Sequence, residues 1–156
     1  GAARVILTGT RESRLSVGKR LGADLLVNSK ERDPVTAVLE ATEGKGADLV
    51  IDCAGADETF DQSLKMAKPG GKVLIVAFYH GPVTADVSHA VRRNLTIYTE
   101  RGEGGTSVGR ALALLAAGRI QAKPLVTHTF PLAEVRRAFE VFENRVGDPM
   151  KVILHP

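Results

Sequence analysis

A glycine, a threonine and an arginine stand together where an apolar segment ends. Residues 4–8 (RVILT) are rich in β-branched side chains and predict a short buried strand, which Gly9, Thr10 and Arg11 follow directly. These three residues offer an exposed backbone amide, a hydroxyl and a guanidinium, and a guanidinium can hold a phosphate through two parallel hydrogen bonds. The simpler interpretation, a glycine-containing turn followed by a solvated arginine, stays open.

The other residue types that often carry chemistry show no pattern typical of a reaction centre. Cys53 is the only cysteine, which excludes an internal disulfide and a cysteine-rich zinc site in this chain. No histidine neighbours it in sequence, so we expect a buried packing residue rather than a nucleophile. None of the histidines has the spacing of a helical metal site, and we predict neither a catalytic nor a metal-binding role for His80, His89, His128 or His155.

Composition limits the class of protein further. The chain has 156 residues, of which 44% are hydrophobic and 25% charged, as expected for one globular domain. No apolar run approaches the roughly 20 residues of a membrane span, and no apolar leader opens the chain, so we expect a cytoplasmic protein without a membrane partner. The net charge of +3 is spread over the chain, which argues against nucleic-acid binding.

The elements that must position these residues alternate along the chain. Apolar segments take turns with segments of helical periodicity, a pattern typical of βα units that build a parallel sheet. Asp33 should cap a helix that begins at Pro34, and residues 68–71 should form a tight turn. Residues 47–53 should be a central strand, and the last strand has no evident partner. The predicted strands are 4–8, 25–28, 47–53, 72–78, 95–99 and 151–154. The main predicted helices are 12–21, 59–66 and 132–142. A further helix should be capped by Thr106 or Ser107 and end at Gly118.

Five segments, in this order, resemble the coenzyme domain of the medium-chain zinc-dependent alcohol and polyol dehydrogenases, which include sorbitol and threonine dehydrogenases. They are RVILTGTRESRL, RLGADLLVN, GKGADLVIDCAG, LKMAKPGGKVLIVAF and KPLVTHTFPLAEVRRAFE. The resemblance implies an α/β fold, an incomplete Rossmann-type doubly wound parallel sheet that lacks the first strand and its glycine-rich turn. Residues 1–156 would form a partial dinucleotide-binding domain, with 122–156 returning toward a catalytic domain that the chain does not contain.

The resemblance also implies which coenzyme is bound. Dinucleotide-binding domains usually carry an acidic residue at the tip of the second strand, where it binds the ribose hydroxyls. Gly9 stands there, and Gly9, Thr10 and Arg11 resemble the pattern of NADP-dependent members, so NADP is expected over NAD. Arg14 would close over the ribose or adenine. The remaining residues implied to line the coenzyme are Ser29 and Lys30 near the phosphates, Cys53, Ala54 and Gly55 near the adenosine, and Val76, Ala77, Phe78 and Arg101 near the nicotinamide.

Two simpler interpretations of these residues stay open. Val76, Ala77 and Phe78 could be ordinary core residues, and Arg101 could be a solvated arginine in the loop 100–105.

The implied function is hydride transfer between a small alcohol or polyol and a nicotinamide dinucleotide. Zinc would polarise the alcohol in the parent enzyme, but its ligands would lie outside this chain, which we expect to be inactive alone. Unpaired sheet edges also predict a homo-oligomer, or a rearranged sheet that closes the gap. Two alternatives remain, an S-adenosylmethionine methyltransferase-like domain, in which KPGG also precedes a strand, and a folded fragment without enzymatic activity.

Overall fold

A computed structural model describes residues 1–102 and 106–156, in which strands and helices alternate as the sequence predicts. The strands are β1 (Ile6–Gly9), β2 (Leu25–Asn28), β3 (Ala47–Asp52), β4 (Ala67–Ile75), β5 (Thr96–Thr99), β6 (Val126–Pro131) and β7 (Lys151–His155). The α-helices are α1 (Glu12–Arg20), α2 (Pro34–Ala41), α3 (Thr59–Met66), α4 (Val87–Arg92), α5 (Thr106–Ala116) and α6 (Val135–Glu143). Short 3₁₀ turns precede β6 and α6 at Lys123–Leu125 and Leu132–Glu134.

The chain divides into two compact units. One contains Gly1–Leu26 and Gly104–Pro156, and the other contains Val27–Glu103. In the second unit β3, β4 and β5 form a parallel sheet in that order, and Val73 of β4 pairs with Val50 on one side and Ile97 on the other. Its buried core is made of Leu64, Ala67, Val73 and Ala90.

Strand β3 does not occupy the central position that its apolar sequence predicts. It lies at an edge of the three-stranded sheet, and β4 lies in the middle. The side chains of Leu49 and Ile51 are 48% and 50% exposed, so one face of β3 is open to solvent. An apolar run alone therefore did not distinguish an edge strand from a central one, because that depends on the neighbouring strand.

The predicted turn at residues 68–71 is instead part of β4, which begins at Ala67. Ala47 pairs with Ala67 and Leu49 with Lys72, so β4 has more residues than β3 between these pairs and contains a bulge. The bulge is held by the Gly70 amide, which donates to the Arg93 carbonyl at 2.8 Å. The glycines and the proline of this segment signalled an irregularity, but it lies inside the strand rather than before it.

In the first unit, β1 leads into α1, which buries Leu15 and Val17. A Cβ on Gly18 would lie 2.1 Å from Leu7 Cδ2, so the glycine lets α1 pack closely on β1. The last strand, which had no evident partner in sequence, pairs in parallel with β6. Helix α5 ends near Gly118 as predicted, but Thr106 and Ser107, which were expected to cap it, are instead its first two helical residues.

The strand pairings agree with an α/β fold of the doubly wound type. Strands β1 and β2 pair in a two-stranded sheet, with the boundary between the units falling inside β2. Among residues 1–102 and 106–156, no helix is long and apolar enough to cross a lipid bilayer.

Candidate functional site

The junction between β1 and α1 holds the residues that the sequence singled out first. Gly9 is the last residue of β1, and Arg11 is the N-cap of α1, with an extended backbone (φ −131°, ψ 121°). Its carbonyl accepts hydrogen bonds from the amides of Arg14 and Leu15, both at 3.1 Å. The predicted residues Gly9, Thr10 and Arg11 therefore lie at the carboxyl end of a strand and the start of a helix, where doubly wound folds bind ligands.

Arg11 forms an ion pair that the sequence did not predict. Its Nη1 lies 2.8 Å from Asp148 Oδ1, and the two side chains are 27% and 33% exposed. The Ser13 hydroxyl donates to the other carboxylate oxygen of Asp148, and Arg14 Nη2 donates to the Pro149 carbonyl at 3.4 Å. The hydrogen bond from Ser13 and then the pairing with Arg11 lower the pKa of the Asp148 carboxyl.

No local pattern could have revealed Asp148. It comes from the segment before β7 and is 137 positions from Arg11 in sequence. Only the packing of this C-terminal segment against the start of α1 brings the two side chains together.

A second cluster forms around Asp52, at the carboxyl end of β3. Its buried carboxylate accepts hydrogen bonds from the amides of Ala54 at 2.9 Å and Gly55 at 3.2 Å. The Thr59 hydroxyl donates to the same group at 2.8 Å, and the Tyr79 hydroxyl donates to it as well. Asp52 and Tyr79 were not predicted as site residues, although an acidic residue directly before a Cys-Ala-Gly turn is a detectable signal for a carboxylate that caps the turn.

The titratable groups of this cluster favour a structural role. Burial works to raise the pKa of Asp52, but hydrogen bonds from Tyr79, Thr59 and the two amides outweigh it and lower the pKa. Burial and then the bond to Asp52 raise the pKa of Tyr79 to about 12. Desolvation, followed by the charge of Asp52, raises the pKa of the Cys53 thiol, so the thiolate is disfavoured. Cys53 is exposed, which corrects the expectation of a buried residue.

The end of β4 meets this turn. The amides of Val76 and Ala77 donate to the Asp52 carbonyl at 3.0 and 3.2 Å. Gly55 has a φ of +64°, and a Cβ there would lie 2.6 Å from the Phe78 carbonyl oxygen, so only glycine fits without displacement. The ends of β3 and β4 are thus locked together at the carboxyl edge of the sheet.

The residues after β4 are not core residues. Phe78 is 77% exposed and Val76 is also exposed, whereas Ala77 is half-buried. The predicted strand 72–78 ends earlier, at Ile75, so these three residues begin a loop. An aromatic side chain this exposed is available to a ligand or partner.

The remaining predicted residues lie at other strand ends. Ser29 and Lys30 follow β2, and the Lys30 amide donates to Asn28 Oδ1 at 3.2 Å. Arg101 is exposed after β5, and Glu103, Gly104 and Gly105 of its loop lie outside the described residues. The groups around Gly9 and around Gly55 belong to different compact units.

The described residues do not fit a zinc ion. Within 1–102 and 106–156, no three or more histidine, cysteine, aspartate or glutamate side chains come together in a way that could hold a metal. A shallow depression in the second unit is lined by Asp33, Asp57, Glu58 and Asp61 among others. Its negative charge would repel phosphate groups, so it is a poor site for a dinucleotide.

The glycine-containing strand ends and the parallel sheet define a coenzyme-binding α/β domain, and comparison with known proteins identifies its family. The sequence model of the zinc-binding dehydrogenases matches residues 1–117, and the chain belongs to this family. It is 37% identical over 158 residues to an L-threonine 3-dehydrogenase from Bacillus licheniformis, covering 100% of this chain and 45% of that protein.

Solved structures of oxidoreductases match the fold of this chain. An alcohol dehydrogenase from Thermus sp. ATN1 matches with a TM-score of 0.87 and 30% identity, covering 97% of this chain and 44% of that chain. An oxidoreductase of unknown specificity from Escherichia coli matches with a TM-score of 0.91 and 28% identity, covering 100% of this chain and 45% of the other. The chain therefore has the fold of the coenzyme-binding domain of alcohol dehydrogenases and spans less than half the length of these relatives.

Proposed function

We propose that this chain binds the adenosine end of NADP, with NAD as the alternative coenzyme, and serves as the coenzyme-binding portion of an oxidoreductase. The enzyme would transfer a hydride between a small alcohol or polyol and the nicotinamide. The proposal rests mainly on one observation: a glycine ends β1, and an arginine two residues later is the N-cap of α1.

The physical basis is the charge of the coenzyme. A carboxylate at the end of β1 would accept hydrogen bonds from the ribose hydroxyls and repel a 2′-phosphate. Gly9 occupies this position and has no carboxylate. Arg11 would donate to the phosphate in a bidentate manner, Thr10 would add its hydroxyl, and Arg14 would lie over the ribose or adenine. Ser29 and Lys30 would add further phosphate contacts.

The second cluster would line the remaining coenzyme. The backbone of Cys53, Ala54 and Gly55 would approach the adenosine side, since the Asp52 hydrogen bonds fix this turn. Val76, Ala77, Phe78 and Arg101 would lie beside the nicotinamide half. When bound, the nicotinamide supplies a two-electron hydride acceptor, and the task of the protein is to position it and exclude water.

The chain by itself should show little or no turnover. Its relatives are more than twice its length, and within the described residues there is no cluster that could hold the zinc which polarises the alcohol. The names of the relatives include threonine and alcohol dehydrogenases, which supports an alcohol or polyol as the substrate class. We expect the enzyme to act in the cytoplasm.

Isothermal titration of the chain with 2′-phospho-ADP-ribose and with ADP-ribose tests the proposal. The substitution Arg11→Gln should weaken binding of the phosphorylated ligand by about tenfold, the value of one good charge-assisted bond, and should leave ADP-ribose nearly unchanged. Arg20→Gln, which removes the same charge from the exposed last turn of α1, is the matched control and should change neither affinity. Equal effects of Arg11→Gln on both ligands would refute the phosphate contact.

A thermal-shift measurement with S-adenosylmethionine separates the methyltransferase alternative. Stabilisation by S-adenosylmethionine and by no nicotinamide nucleotide would favour that class over a dehydrogenase.

A further inference from the structure

Two side chains at the start of α1, Arg11 and Ser13, hold the Asp148 carboxylate as they could hold a bound anion. Arg11 Nη1 donates to Asp148 Oδ1 at 2.8 Å, and the Ser13 hydroxyl donates to Asp148 Oδ2. Each oxygen of the carboxylate thus receives a hydrogen bond from a residue beside the end of β1. A phosphate that approached Arg11 would meet the negative charge of Asp148. It would also find one donor of the Arg11 guanidinium already bonded to that carboxylate.

The carboxylate is presented by a segment of defined shape. Asp148 has a φ of +51°, a left-handed conformation that is disfavoured for residues other than glycine but tolerated by aspartate and asparagine. The next residue, Pro149, accepts a hydrogen bond from Arg14 Nη2 at 3.4 Å. Two adjacent positions of this segment therefore contact α1, which fixes the Asp148 side chain against Arg11.

We propose that Asp148 is a specificity-determining residue that competes with the coenzyme's 2′-phosphate for Arg11 and so narrows the preference for NADP over NAD. The inference rests on the proposed function, because it requires Arg11 to contact that phosphate. The carboxylate carries the same sign of charge as the phosphate and must release the guanidinium, or remain beside the phosphate at an electrostatic cost. Unphosphorylated adenosine presents no anion to Arg11 and meets no such competition.

The substitution Asp148→Asn tests this competition with little steric change. Asparagine has nearly the same shape and tolerates a positive φ, so the substitution mainly removes the charge. Titration should show binding of 2′-phospho-ADP-ribose strengthened by about twofold to fivefold, the range for a partly exposed charge pair, and binding of ADP-ribose unchanged. Asp48→Asn is the matched control, because it removes a carboxylate from another ion pair, with Lys68 in the second unit, and should alter neither affinity.

The results distinguish failure of this inference from failure of the proposed function. If Arg11→Gln weakens the phosphorylated ligand while Asp148→Asn leaves it unchanged, the competition is refuted and the phosphate site stands. If Asp148→Asn instead weakens ADP-ribose, the carboxylate accepts ribose hydroxyls and the inference is wrong. If neither ligand binds, or Arg11→Gln affects neither, the proposed function fails and the inference with it.

A second variant covers the case in which Asp148→Asn lowers the melting temperature enough to confound the titration. Asp148→Gly also accepts the positive φ, removes the whole carboxylate and should strengthen the phosphorylated ligand to a similar degree. Unchanged affinity in a folded Asp148→Gly protein would equally refute the competition.

Discussion

At the residue scale, the two candidate clusters differ in how far the sequence could predict them. Gly9, Thr10 and Arg11 were identified because they follow an apolar strand directly, and the structure has them at a strand end as expected. Asp148 was not, since its contact with Arg11 spans 137 positions. Short-range patterns predict which residues follow a strand, but they carry no information about a partner that arrives through tertiary packing.

The contribution of the buried Asp52 carboxylate to stability can be tested by substitution. Asp52 is a buried acceptor of several hydrogen bonds, and in Asp52→Asn the amide NH₂ group would face some of the same donors. We therefore expect a loss of about 1–3 kcal/mol in the free energy of unfolding near pH 7. Urea unfolding followed by circular dichroism measures it.

The same substitution should change the pH dependence. The pKa of Asp52 is lowered in the folded state, so its stabilisation is present above the unfolded value of 3.8 and is lost as the pH falls through the folded pKa. The stability difference between the wild type and Asp52→Asn should therefore shrink on acidification. A difference that stays constant from neutral to acid pH would contradict the role of the charged form.

At the element scale, local signals located most helices and strands. The segments at Leu25–Asn28 and Thr59–Met66 have the predicted bounds, because their apolar spacing and flanking residues are unambiguous. Helix α4 (Val87–Arg92) was not predicted, since six residues give too little periodicity to detect. The edge position of β3 and the bulge in β4 depend on pairing between strands, which no single segment encodes.

The predicted cap of α2 is confirmed and can be tested. Asp33 Oδ2 accepts a hydrogen bond from the Thr36 amide at 2.7 Å, and Pro34 is the first helical residue. Asp33→Ala should cost about 0.5–2 kcal/mol in the free energy of unfolding, because it leaves that amide without its acceptor. Asp33→Asn caps nearly as well and should restore most of the stability, whereas equal losses in the two variants would argue against a capping role.

At the scale of the whole molecule, the fold class and family agree with the sequence-based expectation, while the assembly stays a prediction. The open edge and exposed face of β3, with Leu49 and Ile51 half exposed, favour association with another chain. We expect multi-angle light scattering to give a mass above that of a monomer.

A charged residue on this strand should oppose that association. Ile51→Lys should shift the chain toward monomer, since an edge lysine discourages strand pairing. Val91→Lys, on the exposed surface of α4, is the matched control and should leave the mass unchanged. A wild-type chain that is monomeric at all concentrations would contradict the predicted homo-oligomer.

A preference for the phosphorylated coenzyme requires that the end of β1 carry no carboxylate, and the substitution Gly9→Asp tests this most directly. A Cβ at Gly9 would lie 3.4 Å from Leu15 Cδ2, an ordinary contact, so the aspartate should be accommodated. The measurement is the ratio of the dissociation constants for 2′-phospho-ADP-ribose and ADP-ribose. We predict that the wild type binds the phosphorylated ligand more tightly and that Gly9→Asp shifts the ratio at least about tenfold toward ADP-ribose. A wild type that prefers ADP-ribose, or a ratio that Gly9→Asp leaves unchanged, would contradict the account.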